Sequence, residues 1–373
     1  MRALVLSGGG AHGAYEAGVA SALLAREEYD VICGVSIGAI NAALIAAGRT
    51  DDALERFWHH ELPGHASELF PHVPRLRRLI DHVGSIGYGN AWRDAMGVAR
   101  AASSLPFLRK LGDYHKNSLP LIAKALGMML DYSALRTSLL IGATNATQAS
   151  AAVFRAFVGE APPVPEAMLT EYHDLTQDNF VMALLASSAM PGLFSPIELA
   201  FDGGESNLYA DGCIVHTSPL GLAVDNGATE VTVVFVDCER DALSAGSSLG
   251  LAEIAYNIAT LWQQRLLDYE LRIAAATNQI VQLGGAPGKR QISIRYIRPE
   301  RPLELDMLAF DDREALVSAF ERGVGDGSLP PRVMLPLPVP ETPAAALTAE
   351  PEGETFWDSL RRVFTGAAVK RAQ

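Results

Sequence analysis

An α/β fold, a parallel sheet with helices on its faces, is predicted by three observations. The first fifty residues alternate short apolar runs with helical stretches, two of those runs end in glycine-bearing turns, and a strongly apolar run returns at Glu230 to Val236. With 373 residues, 49% hydrophobic and 20% charged, the chain has enough apolar material for a sizeable core and is not a disordered polymer. At roughly 150 residues per domain, the length fits one large α/β domain with insertions or two smaller ones.

The elements follow in order. Ala3-Leu4-Val5-Leu6 reads as a strand closing on Ser7-Gly8-Gly9-Gly10, and Tyr15 to Arg26 as an Ala/Leu-rich helix. Tyr29 to Cys33 is the next strand, Gly34-Val35-Ser36-Ile37-Gly38 its turn, and Ala39 to Ala47 an apolar helix closed near Gly48. This strand–helix–strand–helix start demands parallel pairing. From Asp51 to about Leu135 the pattern is helical but interrupted by Gly and Pro, and it holds most of the histidines: His59, His60, His65, His72, His82 and His115. This is a helical insertion. Strands are then predicted at Ser138 to Ala143 and Ala152 to Phe157, a helix near Phe180 to Ser188, and a short strand at Leu208 to Ala210 running into Asp211-Gly212. Leu249 to Ile280 reads as a long helix or helix pair, and Gln291 to Ile297 as a late strand.

The main α/β domain is expected over 1–300, with its insertion at 51–135 and its end at 301–328. Prolines recur through 329–352, which favours extended backbone in a linker or surface tail. Beyond it, over 353–373, Phe356, Trp357, Leu360, Val363 and Phe364 share one helical face, with Arg361, Arg362, Lys370 and Arg371 for the other. Such a helix docks on its own domain or a partner subunit, or lies on an anionic membrane.

With 30 basic against 43 acidic residues the net charge is −13, which argues against nucleic-acid binding. Cys33, Cys213 and Cys238 lie far apart and suggest neither a disulfide framework nor a thiolate zinc site, so a reducing compartment fits. The first residues hold no secretory apolar core, and no run approaches the roughly 18 apolar residues of a membrane span. The expected location is cytoplasmic, with any lipid met from the water side as a peripheral contact. The sequence leaves the oligomeric state open.

Gly8-Gly9-Gly10-Ala11-His12-Gly13 satisfies the dinucleotide-binding pattern between a strand and a helix. The acidic residue that would hold a ribose at the end of the second strand is missing, since that strand runs into Gly34-Val35-Ser36 and Asp30 comes too early. The same turn can instead aim backbone N–H groups at a developing oxyanion. A plain tight turn is the third reading, although three consecutive glycines exceed its needs.

Gly34-Val35-Ser36-Ile37-Gly38 is GxSxG between a strand and a helix, the context in which a serine hydroxyl is thrust out beyond a sheet. A serine nucleophile needs a base. His173 and His216 are the histidine candidates in the sheet region, and neither fits the usual chain order well. A carboxylate in a sheltered site can take the proton instead.

Four blocks in order resemble those of patatin-like phospholipases: Ser7 to Gly13, Gly34 to Ala42, Ala186 to Phe194 with Ser187, Ser188 and Pro191, and Asp211-Gly212-Cys213. They cover about residues 1–50 and 137–240. The resemblance implies a three-layer α/β/α fold with a mostly parallel central sheet and a Ser-Asp dyad. In it Ser36 is the nucleophile, Asp211 the base, and the backbone of Gly8, Gly9 and Gly10 the oxyanion hole. No histidine, metal or cofactor is then required. Two positions depart from the family pattern: His12 stands where a permanent cation is usual, and Cys213 replaces a small Gly or Ala. The first removes a headgroup cation, and the second sets a thiol beside the base.

The function expected is hydrolysis of lipid carboxylic esters, of phospholipase A type. The alternatives are a soluble carboxylesterase or thioesterase and a lipid-binding protein without chemistry. Phe57, Trp58, Leu62, Phe70, Tyr88 and Trp92 of the insertion are expected in a lid, an acyl-chain wall or a subunit interface.

Overall fold

The computed structural model describes residues 1–48, 51–70, 73–74, 78, 123–166, 169–191, 194–201, 204–216, 219–238, 266, 269–285 and 288–333. Residues 1–334 form one compact unit and 335–373 a second. The expected C-terminal amphipathic helix lies outside the described residues, as do Tyr88, Trp92 and most of the proline-rich stretch.

The elements that carry the site are β1 (Arg2–Leu6), α1 (Gly13–Leu24), β2 (Val31–Val35) and α2 (Ile37–Ala46). After α3 (Asp51–Arg56), a π-type turn (Phe57–Glu61) and α4 (Leu62–Leu69) come β3 (Ser138–Asn145), β4 (Ser150–Ala156), β5 (Thr170–Asp174) and α5 (Phe180–Ser187). Then follow β6 (Ile197–Leu199), β7 (Asn207–Asp211), α6 (Leu220–Asp225), β8 (Glu230–Val234), β9 (Ser293–Ile297), α7 (Arg313–Gly327) and β10 (Arg332–Val333). Residues 269–282 are also helical.

The sheet order is β10-β9-β8-β1-β2-β3-β4-β5, and β9, β8, β1, β2 and β3 all run parallel. Strand alternation divides the core in two. Leu4, Leu6, Ile32, Leu139 and Ile141 face one side with α1, α2, α5 and α7, while Ala3, Val5, Val31, Cys33, Leu140 and Val233 face α6 and Ala274 on the other. The α/β class and mostly parallel sheet expected from the sequence are therefore present, with a helical layer on each side.

One feature of register positions the chemistry. Along β3, β4 occupies one edge from Leu139 to Asn145. On the other edge, β2 pairs as far as Val35 opposite Gly142, and antiparallel β7 takes over with Asp211 opposite Ala143. The last residue of β7 thus lies beside the turn that leaves β2.

Three short strands escape the sequence reading. β5, β6 and β10 are edge or satellite strands of five, three and two residues, too brief or too polar to stand out by periodicity. The insertion is helical where it is described, and there Phe57, Trp58 and Leu62 pack into the core. Phe70 stacks on Phe310 with centroids 4.7 Å apart.

Helix α7 binds the late part of the chain to α1 by close backbone approach. A β-carbon on Gly323 would sit 2.1 Å from the Tyr15 carbonyl oxygen, and one on Gly18 would sit 2.0 Å from that of Phe320. The Tyr15 hydroxyl donates to Asp326 Oδ2 at 2.8 Å across the same interface. Gly323→Ala is expected to force the helices apart and lower stability by about 2 kcal/mol, the usual scale of overpacking, read as a fall in Tm. An unchanged Tm would mean that this approach is looser than described.

Candidate active site

The GxSxG segment sets Ser36 at the junction of β2 and α2, with φ 56° and ψ −131°. A non-glycine residue held there is strained, and the strain aims the side chain out of the strand direction. Its surroundings fix it from both sides. The Ser36 N–H donates to Ser187 Oγ at 2.9 Å, and Ser187 Oγ donates to the Gly142 carbonyl at 2.7 Å. The Ser188 hydroxyl donates to the Ser36 carbonyl at 3.1 Å. These two serines at the end of α5 were visible in the sequence only as part of a resembling block.

The register of β7 brings Asp211 to this turn, and Ser36 Oγ donates to Asp211 Oδ2 at 2.6 Å. The other oxygen, Oδ1, accepts the Cys213 N–H at 2.9 Å, and the Asp211 carbonyl accepts from Thr144 Oγ1 at 2.8 Å. The carboxylate cannot rotate without losing one of these partners. Asp211 is fully buried, and burial pushes its carboxyl above the ordinary 3.8, opposed by the hydrogen bonds from Ser36 and Cys213. The Cys213 thiol is itself driven up by burial and by Asp211, which makes it a poor thiolate.

Neither candidate histidine meets the serine. His216 Nε2 lies 3.2 Å from the Ala152 carbonyl oxygen, and burial lowers its pKa. His173 stacks on Phe201 with centroids 3.9 Å apart. His12 Nε2 lies 2.7 Å from the Leu305 carbonyl oxygen, so this departure from the family pattern ties the turn to the late chain.

The glycine turn runs past the serine from β1. Gly8, Gly9 and Gly10 have φ of 77°, 130° and 60°, the left-handed region that glycine enters without penalty. A β-carbon on Gly8 would lie 2.4 Å from the Val35 carbonyl oxygen, so the turn lies directly against the elbow. The Gly8 N–H donates to Glu16 Oε1 at 2.9 Å, whereas no acceptor among the described residues is assigned to the N–H groups of Gly9 and Gly10. Ala11 N–H is bound by the Met307 carbonyl at 2.8 Å.

Among the described residues no group of three His, Cys, Asp or Glu side chains is placed to hold a metal ion, and no helix is long and apolar enough to cross a membrane. A cleft of about 1300 Å³ opens at the opposite, amino-terminal ends of the strands, lined by Met1, Asp30, Ser138 and Thr229, away from Ser36.

Residues 4–224, more than half of the chain, match the family described as patatin-like phospholipase. The chain belongs to that family. No curated protein matches it. Among solved structures the patatin-like chain is similar to VipD from Legionella pneumophila, with 14% identity, 87% of this chain and 66% of that one covered, and a TM-score of 0.38. It is also similar to the type III effector protein ExoU, which in another solved structure is from Pseudomonas aeruginosa. There identity is 16%, coverage 89% of this chain and 54% of that one, and the TM-score 0.27. The patatin-like chain therefore spans about two thirds of VipD and about half of ExoU.

Proposed function

We propose that the protein is a lipid acyl hydrolase of phospholipase A type working through a Ser36–Asp211 dyad. The observation that carries this reading is the 2.6 Å hydrogen bond from the Ser36 hydroxyl to a buried carboxylate at the carboxyl ends of the central strands.

In this mechanism Ser36 Oγ attacks the ester carbonyl carbon as its proton passes to Asp211 Oδ2. The oxygen of the tetrahedral intermediate is met by the N–H groups of Gly9 and Gly10, while Gly8 shapes the turn with its own N–H held by Glu16. Collapse breaks the ester C–O bond, and the departing alkoxide takes the proton from Asp211. Water then loses a proton to Asp211 and attacks the acyl-serine, releasing the fatty acid and restoring the serine hydroxyl. The chemistry uses neither a metal nor a cofactor. The substrate is a lipid ester met at a membrane surface, with a cytoplasmic location and contact made without a membrane span.

The reaction needs Asp211 ionised. Because burial raises its pKa, kcat/KM is expected to fall on the acid side at a pH above the ordinary carboxylate range. A limb below pH 4 would contradict this assignment.

Acyl release from phospholipid vesicles and from short water-soluble esters tests the reading. Turnover of phospholipid supports it, and turnover of short esters alone makes the protein a soluble carboxylesterase or thioesterase. No turnover of either by folded protein favours a lipid-binding role.

A further inference from the structure

We infer that Glu16 is a positioning residue for the oxyanion turn, and that its proton acts as a switch on turnover separate from that of the dyad. This rests on the proposed acyl-transfer reading.

Glu16 lies in the first turn of α1, an otherwise Ala/Leu-rich helix, and is fully buried. A carboxylate in such a place needs partners, and each of its oxygens has one. Oε1 accepts the Gly8 N–H at 2.9 Å, and Oε2 accepts from Asn41 Nδ2 at 3.1 Å. Asn41 cannot turn its amide over, because Nδ2 also donates to the Gly13 carbonyl at 3.0 Å and Oδ1 accepts the Trp58 indole N–H at 2.9 Å. The chain Trp58–Asn41–Glu16–Gly8 thus runs from the insertion, through the helix behind the nucleophile, to the glycine turn. Gly38 packs on the same spot, where a β-carbon would lie 2.9 Å from Gly8 N and 3.1 Å from Glu16 Oε2.

The N–H donors that face this carboxyl, from Gly8, Asn41 and the Ser7 backbone, are best satisfied by its ionised form. A proton on either oxygen sets an O–H against an N–H donor and weakens the hold on Asn41 or Gly8. Gly8 leads directly into Gly9 and Gly10, the two residues whose N–H groups the proposed mechanism assigns to the oxyanion. The groups contacting Glu16 are neutral: the Gly8 amide, Asn41 and the backbone of Ser7. Of the titratable groups on the elements packed here, Tyr15 is bonded to Asp326, His12 to the Leu305 carbonyl, and Asp211 to Ser36 and Cys213. Burial raises the Glu16 carboxyl from 4.5 to about 7, opposed by the hydrogen bonds from Gly8 and Asn41.

Glu16→Gln fixes the protonated pattern, with one acceptor and one donor group. It is expected to lower kcat about tenfold to a hundredfold with little change in KM, the scale of a displaced catalytic group. It is also expected to remove the limb near pH 7 from the rate profile and leave the Asp211 limb alone. A second readout is independent of activity. The folded state keeps a proton on Glu16 that the unfolded chain releases, so wild-type stability falls as pH rises from about 4.5 to about 7. Glu16→Gln should reduce the slope of Tm against pH over that window, leaving the part that Asp211 supplies. Asn41→Ala, which removes one donor to the carboxylate, should move the wild-type limb to higher pH and covers the case in which Glu16→Gln does not fold.

An unchanged kcat in Glu16→Gln, or a limb near pH 7 that survives it, would overturn the inference. So would an Asn41→Ala limb that stays in place. If wild type hydrolyses no ester, the acyl-transfer reading has failed, and the Tm comparison still decides whether Glu16 titrates near neutrality.

Discussion

Asp211→Asn is expected to reduce ester turnover by at least about a thousandfold, the scale on which removal of a general base acts, in protein that remains folded. The substitution is nearly isosteric. An asparagine Oδ1 can still accept the Cys213 N–H that now binds Asp211 Oδ1, so the turn at Gly212 keeps its partner. The other position changes sign: an NH2 group would donate to Ser36 Oγ, occupying the lone pair needed for attack and leaving the serine proton with no acceptor. Stability should not suffer. The carboxyl of Asp211 is pushed up by burial, so its ionised form is the strained one in the folded state, and that contribution to stability declines as pH rises through the raised pKa. The amide carries no such charge. Near-wild-type Tm at pH 8 with turnover lost is the expected pair of results. Full turnover in the folded variant would remove the carboxylate from the mechanism.

Gly10→Ala is expected to lower kcat by about a hundredfold, the loss seen when an oxyanion donor is displaced. A β-carbon on Gly10 would lie 2.4 Å from the Met307 carbonyl oxygen, the group that also binds the Ala11 N–H, and the residue sits at φ 60°. The clash is with backbone, so the turn must move away from the segment around Met307, carrying the N–H groups of Gly9 and Gly10 with it. Because the hydroxyl and carboxylate are untouched, KM and the Ser36–Asp211 contact should change little. The check is steady-state kinetics on a soluble ester together with circular dichroism. Wild-type kcat would mean that this turn does not serve the oxyanion.

The central strands were legible in the sequence because burial on both faces leaves nearly continuous apolar runs, as in Ala3 to Leu6 and Val231 to Val234. The elbow was legible because its glycines and serine are a local signature of backbone geometry. The partnership of Ser36 and Asp211 was not. It depends on β7 taking over the edge of β3 where β2 stops, a register relation that joins two residues 175 apart in sequence. Only the ordered family blocks pointed to it. The network under the glycine turn was missed, although a lone Glu in α1 and a lone Asn in α2, each within an apolar helix, were the signal to follow. The place of Trp58 in that network was not legible either, since nothing local in the insertion shows that its indole N–H has a buried acceptor in Asn41.

Covalent labelling with a fluorophosphonate, followed by mass spectrometry of the modified peptide, tests the Ser36–Asp211 account most directly. The expected result is a single phosphonylated residue, Ser36, with labelling abolished in Ser36→Ala and strongly slowed in Asp211→Asn. Labelling of folded wild type at another serine, or equal labelling of Ser36→Ala, would contradict it.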